Sequence, residues 1–234
     1  MKKFLSFILI FWVSFSFSQI WSSYGIKVAP ENEETVVKIM DDYFTNNKVE
    51  GVTVSLYSIM FTAADLDFTH EVIFSGEAEA MANLYVPEFQ DTAWQLFSSK
   101  INNFAENVFS GQGWRNFNFG ETMPFQLVIT FEGDWEPINK WMAMSKQLNE
   151  KYPQDFRSFA AGGINVGGPS NEASHWAVTG WKTFADYIEN WNNTQKFEAE
   201  NPAYVKEKER MEKDIDYSST GPVTKTMRVL VKQW

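Results

Sequence analysis

The chain repeats itself, and its two histidines show the repeat most plainly. His70 lies in "FTHEVIFSGEA" and His175 in "ASHWAVTGW", and the 234 residues contain no other histidine. Each histidine follows a Ser or Thr, opens a short apolar run, and precedes a glycine and a helix-like stretch. The two motifs are 105 residues apart, and "PEFQ" at Pro87 and "PAYV" at Pro202 are 115 apart. Matching motifs at a nearly constant spacing indicate an internal duplication.

The same order of elements can be followed through both halves. In the first half, "ENEETVVKIMDDYFTNN" has helical periodicity, "GVTVSLYSIMF" and "THEVIFSG" alternate as strands, "EFQDTAWQLFSSKINNFAENVF" is predicted to be helical, and "GWRNFNFG" closes as a strand. The second half offers the strand "PFQLVITFE", a helix, two middle strands, more helix, and the last strand "VTKTMRVLVKQW". We therefore predict two β-α-β-β-α-β repeats, residues 19–121 and 122–234, after a signal peptide at 1–18.

Such a repeat covers only one face of its sheet. Two helices bury one side of four antiparallel strands and leave the other side bare. A tandem pair removes this defect when the two bare faces pack together in a single chain. The expected fold is α+β, with two ferredoxin-like repeats forming a pseudo-dimeric barrel.

A strand, a small residue, a helix and then Pro-x-aromatic follow one another in "VIFSGEAEAMANLYVPEFQ" and in "AVTGWKTFADYIENWNNTQKFEAENPAYV". This pattern resembles the dimeric α+β barrel superfamily, over nearly all of the chain after residue 18. The resemblance implies a ferredoxin-like α+β barrel and a relation to monooxygenases of antibiotic biosynthesis, haem-degrading oxygenases, small-molecule isomerases and stress-responsive barrel proteins. Activity varies widely among such proteins, so the resemblance is more specific for fold than for function.

The N-terminus has the anatomy of a secretory signal. Lys2 and Lys3 precede the apolar stretch from Phe4 to Val13, and small residues follow before Gln19. We expect cleavage before Gln19 and an exported protein, periplasmic or secreted; the alternative is a buried or membrane-anchoring helix. The chain has no Cys, so neither a lipid anchor nor a disulfide is expected.

The composition excludes several kinds of partner. Without the two lysines of the predicted signal, 18 basic and 30 acidic residues give a net charge of −12. Such an acidic chain repels nucleic acid and anionic membrane surfaces, and no segment after the signal is long and apolar enough for membrane insertion. The aromatic content of 17% is typical either of a filled core or of a cavity walled by rings. The predicted partner is an apolar or aromatic small molecule, bound by a monomer or a homodimer.

The matching histidines are the candidate catalytic residues. His70 and His175 would lie near the mouths of two related pockets, as general base, hydrogen-bond donor or haem ligand. The structural alternative is that Ser/Thr-His begins a strand and its polar tip satisfies a loop carbonyl. Duplication preserves packing roles as readily as catalytic ones, so both interpretations stay open.

Strand alternation gives the candidate ligand-binding residues. Trp114, Asn116 and Asn118 share one face of the last strand of the first half, and because Phe117 and Phe119 suit the helix-covered side, they are predicted to face the barrel interior. Thr226, Arg228 and Leu230 are predicted to face inward from the last strand of the second half. Tyr57 and Trp176 complete the candidate ligand-binding set. The same polar groups could instead satisfy one another across the interface between the halves, without a ligand.

No metal is expected, because two histidines without Cys show none of the usual metal-ligand spacings. No cofactor is expected either, with haem through a histidine as a narrower alternative.

Two functions follow from these residues. The first is an exported, cofactor-independent small-molecule binding protein or oxygenase-like enzyme, with an aromatic-lined pocket between sheet and helices. The second is a non-enzymatic interaction protein of the cell envelope, whose pockets are filled by side chains.

Overall fold

A computed structural model of the chain describes residues 19–85 and 91–234. The predicted signal at 1–18 and the Pro87 motif lie outside the described residues. The described part contains eight strands and seven helices. In chain order they are β1 (Gln19–Val28), α1 (Glu33–Asn46), β2 (Val52–Phe61), β3 (His70–Gly76), α2 (Ala78–Leu84), α3 (Thr92–Ile101), β4 (Ala105–Phe119), β5 (Phe125–Glu132), α4 (Trp135–Lys151), β6 (Ser158–Gly167), β7 (His175–Trp181), α5 (Phe184–Ile188), α6 (Asn190–Glu200), α7 (Pro202–Glu212) and β8 (Gly221–Gln233).

The strands close into one antiparallel barrel in the order β1-β3-β2-β8-β5-β7-β6-β4. Each half contributes four strands, and the halves meet at two seams, where β2 pairs with β8 and β4 pairs with β6. Closure leaves no free sheet edge, which in an open sheet would be a site of unwanted pairing. The predicted fold class, an α+β barrel built from two tandem repeats, is confirmed.

The strand registers show that the two halves have the same backbone. The pair Ile26–His70 of β1 and β3 recurs as Phe131–His175 of β5 and β7, with both members 105 residues further on. For the last strand of each half the offset is 115, since Gly25–Phe109 recurs as Thr130–Thr224. Even the register shift recurs, directly after Gly25 in one half and after Thr130 in the other. The ten extra residues of the second half therefore lie between β7 and β8, in the longer helical connection.

The helices pack on the outside of the barrel and form the main cores there. Val36, Met40 and Phe44 of α1 pack with strand residues of the first half that face the helices, such as Leu56 and Phe74. In the second half, Ile138 and Met142 of α4 pack on Ala161 and Ala177. Each helix thus buries the apolar stripe that its 3.6-residue period predicts. None of the helices in the described ranges is long and apolar enough to cross a membrane.

One predicted element is wrong in its bounds. We expected a helix to continue through "FAENVF", but α3 ends at Ile101 and β4 begins at Ala105. Residues 105–107 pair with Val28, Lys27 and Ile26 of β1. The hydrogen bonds of barrel closure therefore override the local helical pattern, because β1 would otherwise lose its partner on that side.

The residue before each histidine ties the start of a strand to its neighbour. The hydroxyl of Ser174 donates towards the carbonyl oxygens of Phe131 and Gly133, at 3.3 and 3.4 Å, and lies 2.7 Å from His175 Nδ1. Thr69 repeats the arrangement: its Oγ1 lies 3.0 Å from His70 Nδ1 and accepts a hydrogen bond from the backbone N–H of Val28 at 2.9 Å. The Ser/Thr-His motif is therefore a strand-start latch, found at equivalent places in both halves.

Removing either hydroxyl should destabilise the barrel by a similar amount. Ser174→Ala and Thr69→Val each leave a buried imidazole nitrogen without its partner, which costs about 1–3 kcal/mol. Urea unfolding followed by circular dichroism measures the change in unfolding free energy. The control Ser99→Ala, at an exposed position of α3, should change it by less than about 0.5 kcal/mol. If Ser174→Ala lowers the unfolding free energy no more than the control does, the Ser/Thr hydroxyl does not stabilise the start of the strand.

Candidate functional site

The barrel interior contains a cavity of about 180 Å³. Its wall comes from residues that alternate inward along the strands, with Glu71, Ile73 and Ser75 of β3 and Trp176 and Val178 of β7 as examples. The layer between sheet and helices, where we expected the ligand, instead holds the main apolar cores. The candidate site is therefore the lumen of the barrel.

A buried ion pair forms one side of the lumen. Arg228 is 5% exposed, and its Nη1 donates to Glu71 Oε2 at 2.5 Å across the β2–β8 seam. Its Nε and Nη2 donate to Gln126 Oε1 at 3.0 and 2.7 Å. The guanidinium also lies over the ring of Tyr57, 4.1 Å from its centroid, in cation–π geometry. Burial of this cation is tolerated because the Glu71 carboxylate, the Gln126 oxygen and the Tyr57 ring contact it on nearly every side.

The partners of Arg228 are themselves held in place. Gln126 Nε2 donates to the Met123 carbonyl at 2.9 Å and to the Tyr57 hydroxyl at 3.3 Å. The Ser23 hydroxyl donates to the second oxygen of Glu71. These side chains come from five neighbouring strands, β1, β3, β2, β8 and β5, and link the two halves. We call Ser23, Tyr57, Glu71, Gln126 and Arg228 the polar cluster.

The opposite side of the lumen is built from aromatic rings and glycines. By the offsets of 105 and 115, Trp176 occupies the position equivalent to Glu71, and Trp21 the position equivalent to Gln126. Gly162 and Gly113 stand where the polar cluster has Tyr57 and Arg228. The two indoles meet edge to face, with centroids 5.9 Å apart. Trp21 and Trp176 form the aromatic wall of the lumen.

The glycines of this side make room for the rings. A Cβ atom added at Gly113 would lie 2.6 Å from the ring of Trp21 and would clash with the backbone oxygen of Gly163, so this position accepts no larger residue. Both indole nitrogens, Nε1 of Trp21 and Nε1 of Trp176, are buried, and neither has a hydrogen-bond partner among the described residues. The aromatic wall therefore holds two N–H donors without acceptors.

A second guanidinium, that of Arg115, also lines the lumen. Arg115 donates to the side-chain oxygen of Gln19, and no carboxylate of the described residues lies within 4 Å of it. Burial lowers the pKa of the Arg115 guanidinium. By strand alternation Arg115 shares the face of Phe117 and should point towards the helices, which is wrong. The cause is the bulge that follows Arg115 in β4, which alternation does not predict.

Three predicted lining residues do not reach the cavity. Trp114 points out of the barrel and stacks on Trp135 of α4, with centroids 5.3 Å apart and planes 7° from parallel. Asn116 lies in the bulge between Arg115 and Phe117 and is exposed. Asn118 pairs with the lumen-lining Ala160 but is exposed near the end of its strand. The bulge reverses the alternation within this strand, so a single inward face cannot be read along it.

Four of the other five residues predicted to face the interior do reach the cavity. Tyr57, Trp176, Thr226 and Arg228 all line it. Leu230, also expected to face inward, is half-buried and does not line the cavity.

Both histidines lie outside the lumen, on the helix-covered face of the barrel. His175 is 1% exposed and packs against the indole of Trp135, with ring centroids 3.9 Å apart. Its Nε2 has no hydrogen-bond partner among the described residues, and burial lowers the pKa of His175 to about 4. His70 is also buried, and burial lowers its pKa, while Glu33 acts in the opposite direction. The expected position of the imidazoles at pocket mouths is therefore wrong for His175, which is sealed under Trp135.

These residues do not fit a haem or a metal ion. A haem ligand needs an imidazole facing an apolar space as wide as the macrocycle, but Trp135 covers His175. His70 faces a recess lined by charged groups, Glu33, Glu34, Lys38 and Asp41. Among the described residues, no group of three His, Asp or Glu side chains is close enough to hold a metal ion. We therefore assign no role to a haem or to a metal ion.

Comparison with solved structures identifies the fold. A crystal structure from Lactobacillus acidophilus, called a "putative monooxygenase", superposes with a TM-score of 0.60 at 9% identity, over 92% of this chain and 95% of that one. Another with the same description, from Fusobacterium nucleatum, gives 0.57 at 14% identity, over 92% and 94%. The chain has the dimeric α+β barrel fold. An anthrone oxidase-like protein gives 0.56 at 10% identity, over 93% of both chains.

No family model matches the sequence, and no curated protein matches it either. At 14% identity or less, the structural likeness concerns the fold alone. Oxygenase-like and small-molecule-binding proteins share the dimeric α+β barrel fold. The function therefore depends on the side chains of the lumen and not on the fold alone.

Removing one member of the buried ion pair should be especially destabilising, because it leaves the other charge buried and unpaired. Arg228→Met leaves Glu71 buried without its cation, and Glu71→Met leaves the cation without its carboxylate, so each should lower the unfolding free energy by about 3–5 kcal/mol. The double variant removes both charges and should lose clearly less than the sum of the two single losses. Urea unfolding of the four proteins measures this coupling. Strictly additive losses would contradict it.

The buried His175 should make stability fall in mild acid. Its pKa is about 4 in the folded state, against 6.5 for an ordinary histidine. The unfolded chain therefore takes up the proton first, so the stabilisation is complete above pH 6.5 and is lost as the pH falls towards 4. The loss is on the order of 3 kcal/mol.

The test compares urea unfolding of the wild-type protein and His175→Gln at several pH values between 7 and 4. As the pH falls from 7 to 4, the difference in unfolding free energy between the two proteins should shrink, because only the wild type has a histidine at position 175 to take up the proton. His70→Gln is the matched control at the equivalent position, where Glu33 opposes the effect of burial and a smaller change is expected. Parallel pH curves for the wild type and His175→Gln would show that this histidine does not titrate as its burial requires.

Proposed function

We propose that this barrel binds a small molecule with an apolar or aromatic ring in its lumen. The observation that carries the proposal is the cavity of about 180 Å³ between the aromatic wall and the polar cluster. A cavity of about 150 Å³ lined by apolar side chains is known to bind a benzene ring, so this lumen takes a ligand of about one ring. Ligand pockets typically combine such apolar walls with a few fixed polar groups.

The asymmetry of the lumen supports a ligand rather than a filled interior. The backbones of the two halves match pair by pair, yet the polar cluster of one side is replaced by Trp21, Trp176 and glycines on the other. Packing alone gives no reason for such a division, because either set repeated twice would keep the symmetry. An amphipathic ligand accounts for it, since one end meets rings and the other meets polar groups.

Binding is better supported than acid–base catalysis. Among the described lining residues the one carboxylate is that of Glu71, which already accepts hydrogen bonds from Arg228 and Ser23. Both histidines lie on the other face of the sheet. An oxygenase-like reaction without a cofactor would then depend on how the lumen positions and shields its substrate, and we assign no catalytic residue.

Filling the cavity should abolish binding. Ala160 of β6 lines the lumen, and Ala160→Phe places a ring in the space that a one-ring ligand would occupy. Saturation-transfer NMR with benzamide, a neutral single ring, detects weak binding to the whole chain. We expect a signal with the wild type and at least a tenfold weaker one with Ala160→Phe.

The matched control is Val166→Phe, on the same strand but 61% exposed, and it should keep the wild-type signal. Equal signals from the wild type, Ala160→Phe and Val166→Phe would place binding elsewhere. No signal from the wild type with any single-ring probe, neutral or charged, would overturn the proposal.

A second candidate, a non-enzymatic interaction protein, is favoured by one surface feature. Phe61, Ile188 and Trp191 are 61–71% exposed, and the ring of Phe61 lies 6.5 Å from that of Phe184, at the start of the helix that carries Ile188. Failure of every ring probe in the previous experiment, together with a partner recovered by crosslinking, would favour this alternative.

We also propose that the protein is exported. The support is the sequence of residues 1–18, with two lysines followed by an apolar stretch. The intact mass of the protein isolated from its own host tests this proposal, and a chain that begins at Gln19 is the expected result. A chain of full length would contradict it.

A further inference from the structure

The charges of the lumen do not balance. Three charged side chains line the cavity among the described residues, Glu71, Arg115 and Arg228. Glu71 and Arg228 neutralise each other at 2.5 Å. Arg115 keeps its positive charge without a carboxylate, although the chain as a whole carries a net charge of −10. Arg115 is partly buried, and a guanidinium partly removed from water without a carboxylate beside it favours the binding of a counter-charge.

Among the described side chains that line the lumen, the buried polar atoms left without partners are donors. The indole nitrogens of Trp21 and Trp176 are buried and lack acceptors among the described residues, and Arg115 has a carbonyl-type oxygen of Gln19 as its one side-chain partner there. A tryptophan N–H and a guanidinium can only donate hydrogen bonds. A ligand that satisfies this side of the lumen must therefore bring acceptor oxygens.

The strand register places the lone cation next to the aromatic wall. Gly162 of β6 pairs with Arg115 on one side and with Trp176 on the other, so the three residues form one cross-strand row. Gly162 therefore adds no side chain to this row between the guanidinium and the indole. Neighbouring strands lie about 4.8 Å apart, so the backbones of Arg115 and Trp176 are about 10 Å apart. This span accommodates a single ring with one charged group.

From these observations we infer that the ligand of the lumen is a small aromatic carboxylate, with its ring on Trp21 and Trp176 and its carboxylate on Arg115. This inference rests on the proposed function and names the class of ligand for the same cavity. The polar cluster remains closed on itself and borders the bound molecule. A guanidinium suits this role because it can donate two parallel hydrogen bonds to a carboxylate.

The test compares benzoate with benzamide, which has the same ring and no charge. Isothermal titration of the whole chain at pH 7 should give a dissociation constant at least about tenfold lower for benzoate. Acetate, the charge without the ring, should bind more weakly than benzoate. Loss of benzoate binding in Ala160→Phe places the ligand in the lumen.

The variant Arg115→Gln removes the charge and should bring benzoate to within about threefold of benzamide. Arg115→Lys keeps the charge without the planar fork and should retain part of the preference. The matched control Arg210→Gln removes an exposed charge of α7 and should bind benzoate like the wild type.

The outcomes separate the inference from the proposed function. If benzamide binds the lumen as tightly as benzoate, the carboxylate inference is wrong and the proposed function stands. The same follows if Arg115→Gln keeps the full preference for benzoate. If no ring binds the wild type, the proposed function fails and the inference fails with it.

Discussion

Closure of the sheet at its two seams is the constraint on which the rest of this structure depends. Each half covers one face of its strands with helices, as α1 does over Leu56 and Phe74, and leaves the other face open. The open faces can be removed from water only by turning them towards each other. Because β2 must then pair with β8 and β4 with β6, the registers of both halves are fixed together. A lumen with inward-turned side chains from all eight strands is the consequence.

The symmetry of the backbone and the asymmetry of the lumen have different causes. Strand pairing depends on backbone hydrogen bonds and on the latches of Thr69 and Ser174, so both halves keep the same registers and the same bulge. The lumen side chains are under no such constraint. At equivalent positions one half has Glu71 where the other has Trp176, and the interior thereby acquires a polar side and an aromatic side. A fold requirement thus explains the repeat, and the proposed ligand would explain the departure from it.

Sequence patterns predict the barrel because its main determinants are periodic. The matching histidine motifs give the duplication, and strand alternation places Tyr57, Trp176 and Arg228 in the lumen. The same alternation fails in β4, where a bulge after Arg115 changes which face of the sheet the neighbouring side chains point to. A bulge depends on how two strands pair, and no local feature of "GWRNFNFG" reveals it. The helix predicted over 105–109 fails for the same reason, since pairing with β1 decides its conformation.

The histidines show why scarcity and repetition do not identify a catalytic residue. His175 is one of two in the chain and has a perturbed pKa, yet the cause is burial under Trp135 and not a neighbouring reactive group. Strand alternation assigns Arg115 to the helix-covered face, yet Arg115 lines the lumen and is the more informative residue. Its guanidinium is partly removed from water without a carboxylate beside it, whereas the more deeply buried Arg228 has Glu71, Gln126 and Tyr57 around it. This difference between two guanidiniums, one with a carboxylate beside it and the other with a glutamine, is the reason for which we infer an anionic ligand.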